Sequence, residues 1–241
     1  MIDIRARSNT VMKLAALVII SAVVSACSGP YGNHLQGEAL SNTKQARLVH
    51  DSSLVLDAHA DIVLPTTSHT YLAAGGESKV SPAKLKAGGV GAVVMSIAVG
   101  PGPRTSQGDA DARIIADEKL AAIQKLIAEN SNELVLSKSV TELELARERG
   151  LISIILGLQN ARILQGDVTA LDQFYASGVR VFGLNHLGHN DFSDSSRPFF
   201  NSQTASYEPA QEHGGLSDLG IAAIQRINDL GGIVDISQMS A

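Results

Sequence analysis

Several classes of protein are excluded by what this 241-residue sequence lacks. It contains no tryptophan and only 4% of its residues are aromatic, which argues against an aromatic surface for stacking on sugars. The net charge is −5 and the basic residues are scattered, so no basic stripe can neutralise phosphates, and nucleic acid is not an expected partner. No Gly-x-Gly-x-x-Gly motif follows the first predicted strand, which removes the main sign of a dinucleotide-binding fold.

The N-terminus predicts a bacterial lipoprotein signal. A basic stretch precedes the apolar run from Leu14 to Val24, which is too short for a comfortable transmembrane span. The residues that follow, up to Cys27, resemble a lipobox, in which the cysteine becomes the lipidated first residue after cleavage, and the serine after it resembles the outer-membrane sorting pattern. The alternative, an ordinary signal cut near Ala26, would leave an unpaired thiol in an oxidising compartment. We therefore expect a signal peptide at 1–26 and a periplasm-facing protein of the cell envelope, anchored in the outer membrane.

One folded domain is expected after this signal. Residues 27–47 are rich in glycine, serine, asparagine and glutamine and predict a flexible tether. Residues 48–241 are enough for one substantial hydrophobic core.

Within that domain, β-branched runs alternate with amphipathic segments, a pattern typical of parallel strands joined by helical crossovers. The predicted strands are Leu54–Leu56, Val90–Val99, Leu151–Leu156, Val179–Leu184 and Ile233–Ile236. The predicted helices are Asp109–Glu129, one that a capping box opens at Ser139 and that stops at Gly150, Val168–Ser177 and Ser217–Leu230. The predicted fold class is therefore α/β, as a TIM-type (β/α)8 barrel.

The number of predicted strands is too small for such a barrel. We find about five, whereas a closed barrel of this type has eight. The sequence thus predicts a barrel that is C-terminally incomplete: either the natural product continues for three more βα units, or the protein is short and has an open sheet edge.

A His-x-Asp pair follows the first predicted strand. Residues two apart in a strand point to the same side, so His59 and Asp61 can direct an imidazole and a carboxylate at one metal ion. The alternative is a capped strand end, in which Asp57 and Asp61 accept hydrogen bonds from turn amides.

Four blocks of the sequence resemble the membrane dipeptidase family, also called renal dipeptidase or peptidase family M19, whose members are zinc barrel hydrolases. The blocks are Leu56–Asp61, Arg180–His186 with Asn190 and Asp194 beyond it, Gly215–Gly220 and Leu230–Ser237. The resemblance implies that His59 and Asp61 bind the first zinc. It also implies that His186 contacts the substrate and the tetrahedral intermediate, in a segment whose Asn190 and Asp194 also bind substrate.

Two positions depart from the family pattern. Gln159 falls where the family carries a glutamate that bridges both zincs, and Gln238 falls where it carries a histidine on the second zinc. An amide oxygen at these metal positions offers a dipole without the negative charge that normally bridges two divalent ions. The resemblance therefore predicts one or two zinc ions on His59, Asp61, Gln159 and Gln238.

Three functions follow from this interpretation. The first is zinc-dependent hydrolysis of dipeptides, in which a metal-activated water attacks the scissile carbonyl and His186 stabilises the oxyanion. The second is a degenerate barrel that binds a small peptide or a single ion without turnover, and the third is a one-metal amidohydrolase of different specificity. The expected partners are a small peptide and, through Cys27, a membrane. A second copy of the chain, forming a homodimer, is a further candidate partner.

Overall fold

The computed structural model describes residues 35–202 and 204–240 of the chain. The predicted signal peptide and Cys27 lie outside the described residues. Helix α1 (Leu35–Ser52) belongs to one compact unit and residues 53–241 to a second, and each is considered by itself. Part of the predicted tether is therefore helical, because alanine, leucine, glutamine, lysine and arginine between 35 and 48 are strong helix formers. Within the described ranges no helix has the length and apolar character needed to cross a membrane.

The second unit is built on a parallel sheet. Its strands are β1 (Leu56–Asp61), β2 (Ala92–Ala98), β3 (Leu134–Leu136), β4 (Ile152–Gln159), β5 (Val179–Gly183) and β8 (Ile233–Asp235). The order is β1-β2-β4-β5-β8, and the short strand β3 pairs with the first half of β4. All of these pairs are parallel, so the carboxyl ends of the strands lie along one edge of the sheet. The fold is therefore α/β with a mostly parallel sheet, as predicted.

Helices connect the strands in the order expected for βα repeats. They are α2 (Pro82–Ala87), α3 (Ser106–Glu129), α4 (Val140–Glu148), α5 (Ala170–Ala176) and α6 (Asp218–Leu230), with 3-10 turns at His69–Tyr71 and Ala161–Leu164. A small antiparallel hairpin, β6 (Phe200–Asn201) with β7 (Ser206–Tyr207), lies between β5 and α6.

The core explains why most strands were predictable. Every residue of β2 is buried, and seven of the eight residues of β4 are buried, so both strands read as continuous apolar runs.

The helix N-caps also follow the sequence. The Ser139 hydroxyl accepts a hydrogen bond from the Glu142 amide at 3.2 Å, as the predicted capping box requires.

Strand β1 differs from its predicted position. It begins at Leu56, where the predicted strand ended, and it contains His59 and Asp61 rather than preceding them. Residues 57–61 alternate alanine with polar residues, so no apolar run marks the strand. Pairing with β2, interrupted by a register shift between Asp57 and Ala60, holds this segment in an extended conformation.

A single serine fixes the start of helix α6 and provides a modest test of the fold. The Ser217 hydroxyl accepts a hydrogen bond from the Gly220 amide at 3.1 Å and donates one to the Asp191 carbonyl at 2.6 Å. Ser217→Ala should lower the free energy of unfolding by about 1 kcal/mol, measured by urea denaturation, because an N-cap acceptor is lost. Ser131→Ala, which changes an exposed serine in the turn after α3, is the matched control and should leave the unfolding midpoint unchanged.

Candidate metal and substrate site

The imidazole and carboxylate of β1 face the same side of the sheet at its carboxyl edge. His59 Nε2 lies 3.9 Å from Asp61 Oδ2, and both side chains are partly exposed. Zinc binds imidazole nitrogen and carboxylate oxygen at about 2.0–2.2 Å, so two atoms at this separation can contact one ion. Asp57 does not join them, because its Oδ1 accepts a hydrogen bond from the His59 backbone amide at 3.1 Å and thereby caps the turn.

Lys119 is the second neighbour of Asp61. Its side chain, only 17% exposed, reaches from α3 over the end of β2, where Nζ donates a hydrogen bond to the Ala98 carbonyl at 2.6 Å. The same Nζ lies 3.8 Å from Asp61 Oδ1. Burial lowers the pKa of Lys119, and the Asp61 carboxylate opposes that shift. Asp61 thus has an imidazole beside one oxygen and an ammonium beside the other.

His186 completes the cluster from the end of β5. Burial lowers the pKa of His186 below its ordinary value of 6.5; Asp61 opposes that shift and His59 adds to it. The imidazole is therefore mainly neutral at pH 7. Among the described residues, its buried Nδ1 has no hydrogen-bond partner. The Ser195 hydroxyl donates to the His186 carbonyl at 2.7 Å and fixes the backbone that carries the ring.

These groups border one cavity of about 340 Å³. Asp61, Lys119 and His186 line it together with the loop that follows β1, whose Thr66, Thr67, Ser68 and Tyr71 contribute hydroxyl groups. A cavity of this size can hold a small ligand. It therefore offers the ammonium of Lys119, the carboxylates of Asp61 and Glu118, one imidazole and several hydroxyls to a polar molecule.

The two glutamines predicted as metal ligands lie at the same edge of the sheet. Gln159, the buried last residue of β4, pairs in register with Ala98 and Gly183. Gln238 has a positive φ of 64°, and its buried Oε1 has no partner within the described part of the chain. Its carbonyl accepts a hydrogen bond from the Ser196 amide at 2.9 Å, so it is tied to the segment that holds His186.

The donors suit one metal ion better than two. Across residues 35–202 and 204–240 no group of three histidine, cysteine, aspartate or glutamate side chains is placed to hold a metal. His59 and Asp61 supply one nitrogen and one oxygen, and the unpartnered Gln238 Oε1 is a neutral donor atom. Two ions normally need a bridging anion, and Gln159 cannot supply one. Among the described residues, His59 and Asp61 are thus the paired donors that fit an ion.

Asn190, which the sequence predicts to bind substrate, has its side-chain amide engaged within the protein. Its Nδ2 donates to Asn160 Oδ1 at 3.0 Å and to the Leu184 carbonyl at 2.7 Å, while its Oδ1 accepts from the Phe192 and Ser193 amides. All four hydrogen bonds of the amide are used inside the protein, so none is left for a ligand. The side chain joins the ends of β4 and β5.

Asp194, the other residue predicted to bind substrate, is engaged by the backbone of a neighbouring loop. The carboxylate is fully buried and accepts three backbone hydrogen bonds, from Glu212 at 2.9 Å, His213 at 2.9 Å and Gly215 at 3.1 Å. Burial by itself would raise the pKa of Asp194, but these hydrogen bonds, helped by His189, lower it to about 2. The residue fixes the loop that leads into α6.

Sequence reasoning missed Lys119, although a signal was present. The buried positions Ala112, Ala116 and Ile123 form one stripe along α3, and Lys119 falls on that stripe at i+3 from Ala116 and i−4 from Ile123. A lysine inside an otherwise apolar stripe needs a buried partner. Its position on the helix that follows β2, the strand paired with the His-x-Asp strand, could have indicated which one.

The sheet and its polar edge are typical of α/β proteins whose sites lie at the carboxyl ends of parallel strands. The chain belongs to the membrane dipeptidase family, peptidase family M19, because the model of that family matches residues 43–241. This confirms the resemblance found in the sequence. Membership of the family implies dependence on a metal.

Individual relatives agree with this assignment. A dipeptidase of Aspergillus oryzae, aclJ, is 29% identical over 161 residues, which cover 65% of this chain and 36% of the relative. The crystal structure of the probable dipeptidase PvdM from Pseudomonas aeruginosa has a TM-score of 0.71 and 28% identity, covering 82% of this chain and 50% of PvdM. A metallo peptidase from Rhodobacter sphaeroides shares the fold, with a TM-score of 0.62 and 19% identity, covering 78% of this chain and 59% of that one. The chain thus spans about a third to three fifths of the length of these relatives.

Proposed function

We propose that the protein hydrolyses dipeptides with the help of a zinc ion, on a sheet of the TIM-barrel type. The observation that carries the proposal is the meeting of His59, Asp61 and His186 at the carboxyl edge of the sheet, beside a cavity of about 340 Å³. Family membership and the dipeptidases among its relatives support the reaction class.

Each residue of the cluster has a distinct role in this proposal. His59 and Asp61 hold the ion, which when bound would lower the pKa of water and polarise a carbonyl oxygen. The neutral His186 donates a hydrogen bond to the oxygen on which negative charge develops. The hydroxyl groups of the loop after β1 orient the polar ends of the substrate.

The location is proposed from the sequence. A lipid anchor on Cys27 would place the cavity at the cell envelope, where small peptides are available, and buried acyl methylenes contribute about 0.8 kcal/mol each to such anchoring.

A second candidate is binding of a small peptide without turnover. It is favoured by the neutral amides of Gln159 and Gln238 and by the ammonium of Lys119 beside Asp61, which together leave the site less negative than a two-zinc site needs. In that case a dipeptide would raise the melting temperature of the protein and would be recovered intact.

A panel of dipeptides tests the proposal. The full-length protein is loaded with zinc and incubated with L-L and L-D dipeptides, and the free amino acids are quantified by mass spectrometry. The proposal expects turnover that stops after chelation and returns when zinc is restored. Stabilisation by a dipeptide without release of amino acids would support the second candidate instead.

His186→Ala separates catalysis from metal binding. We expect kcat to fall by about 10²-fold, because a preorganised donor to the developing oxyanion is lost. The zinc content should be unchanged, since the ion is assigned to His59 and Asp61. His50→Ala, an exposed histidine of α1, is the control. An unchanged kcat in His186→Ala would remove this residue from the mechanism.

A further inference from the structure

The ammonium of Lys119 lies beside the proposed metal site, where its positive charge would repel a metal cation. It is 3.8 Å from Asp61 Oδ1, the carboxylate assigned to the ion, and it acts on His186 across the same cavity. Burial penalises an isolated ammonium, so this lysine is stable there only with an anionic or carbonyl partner. Asp61 and the Ala98 carbonyl provide both.

The anions around the cavity are no more numerous than its cations. Asp61 carries one negative charge, whereas the two positions at which the family has a glutamate and a histidine carry neutral amides, Gln159 and Gln238. Glu118 also lines the cavity, and Arg197 adds a positive charge that acts on His186. A divalent ion bound to Asp61 would therefore be repelled by the ammonium. Fewer anions would offset this repulsion than in a two-zinc site.

We propose that Lys119 is a built-in cation that competes with the divalent ion for Asp61 and thereby lowers the metal affinity of this site. Its ammonium supplies part of the positive charge that a second metal ion would otherwise supply. This inference rests on the proposed metal site at His59 and Asp61. It identifies Lys119 as a positioning residue that acts through Asp61, and it accounts for a buried lysine on the otherwise apolar stripe of α3.

The alternative explanation is that Lys119 only joins α3 to the end of β2 through its hydrogen bond to Ala98. The two explanations differ in what charge removal does. If Lys119 competes with the metal, a neutral side chain at 119 tightens metal binding. If it only connects two elements, a neutral side chain lowers stability and leaves metal binding as it was.

Zinc titration of the full-length protein tests the inference, with a chromophoric chelator as competitor and no substrate present. The variants are Lys119→Met, Lys119→Gln, which removes the charge but keeps an N–H donor, and Lys119→Arg, which keeps the charge. Lys125→Met changes an exposed lysine of the same helix and is the matched control. Melting temperatures establish that each variant is folded.

The expected result is zinc binding at least about tenfold tighter in Lys119→Met and Lys119→Gln, since a nearby cation no longer repels the ion. Lys119→Arg and Lys125→Met should match the unaltered protein. Equal affinity in all five proteins would overturn the inference and leave the metal site standing. An unaltered protein that binds no zinc, or binds it equally well after His59→Ala, would overturn the proposed site and this inference with it.

Discussion

Replacing His59 by alanine should remove the bound ion and lower kcat/KM for dipeptides by at least about 10³-fold. The physical reason is that the ion is assigned to His59 and Asp61, whose Nε2 and Oδ2 lie 3.9 Å apart at the edge of the sheet. A metal contributes several kcal/mol of transition-state stabilisation, and each 1.36 kcal/mol is about a factor of ten in rate. Zinc per chain and hydrolysis are measured on the same preparation.

The control is again His50→Ala, which removes an exposed imidazole of helix α1 and should change neither quantity. A His59→Ala protein that keeps its zinc would place the metal elsewhere. One that loses its zinc but keeps its turnover would show that the ion takes no part in the reaction.

Asp194→Ala should be the most damaging single change to the fold outside the apolar core. Its buried carboxylate accepts hydrogen bonds from the amides of Glu212, His213 and Gly215, and alanine would leave three partly buried donors without this acceptor. We expect the free energy of unfolding to fall by about 3–5 kcal/mol, measured by urea denaturation at pH 7.

Asp191→Ala is the matched control for this substitution. The Asp191 side chain is 60% exposed and lies 3.4 Å from Arg104, a surface ion pair worth about 0–1 kcal/mol. Equal destabilisation by the two substitutions would contradict the role assigned to Asp194.

The same carboxylate makes stability depend on pH. Its pKa is about 2 in the folded protein against an ordinary value of 3.8, so the folded state favours the ionised form. The stabilisation is therefore complete above about pH 5 and is lost as the pH falls through 3.8 towards 2. A shift of this size corresponds to about 2 kcal/mol, and Asp194→Ala should flatten the acid limb of the stability curve by that amount.

Strands buried on both faces could be predicted from the sequence because burial on both faces requires an apolar residue at nearly every position. The runs at β2 and β4 are apolar at nearly every position, and their predicted bounds agree with the structure to within three residues. Strand β3 escaped prediction because Leu134–Leu136 is too short to form a pattern. Strand β1 was misplaced because its polar and alanine residues are held extended by pairing with β2 rather than by their own propensity.

The candidate site was predictable only where local geometry determines it. The spacing of His59 and Asp61 in a strand places both on one side, and the structure has them 3.9 Å apart. The contacts of Asn190 and Asp194 could not be predicted, because their partners come from residues 160 and 212–215, which sequence spacing cannot bring together; their role in substrate binding stays a prediction. Lys119 was missed because its partner Asp61 is 58 positions away along the chain.

Steady-state hydrolysis of dipeptides by the full-length protein, with metal per chain determined on the same sample, tests the account most directly. The account predicts one zinc per chain, release of both amino acids, and loss of turnover on chelation that zinc reverses. Turnover that survives complete removal of metal, or a protein that binds zinc and dipeptides but releases no amino acids, would contradict it.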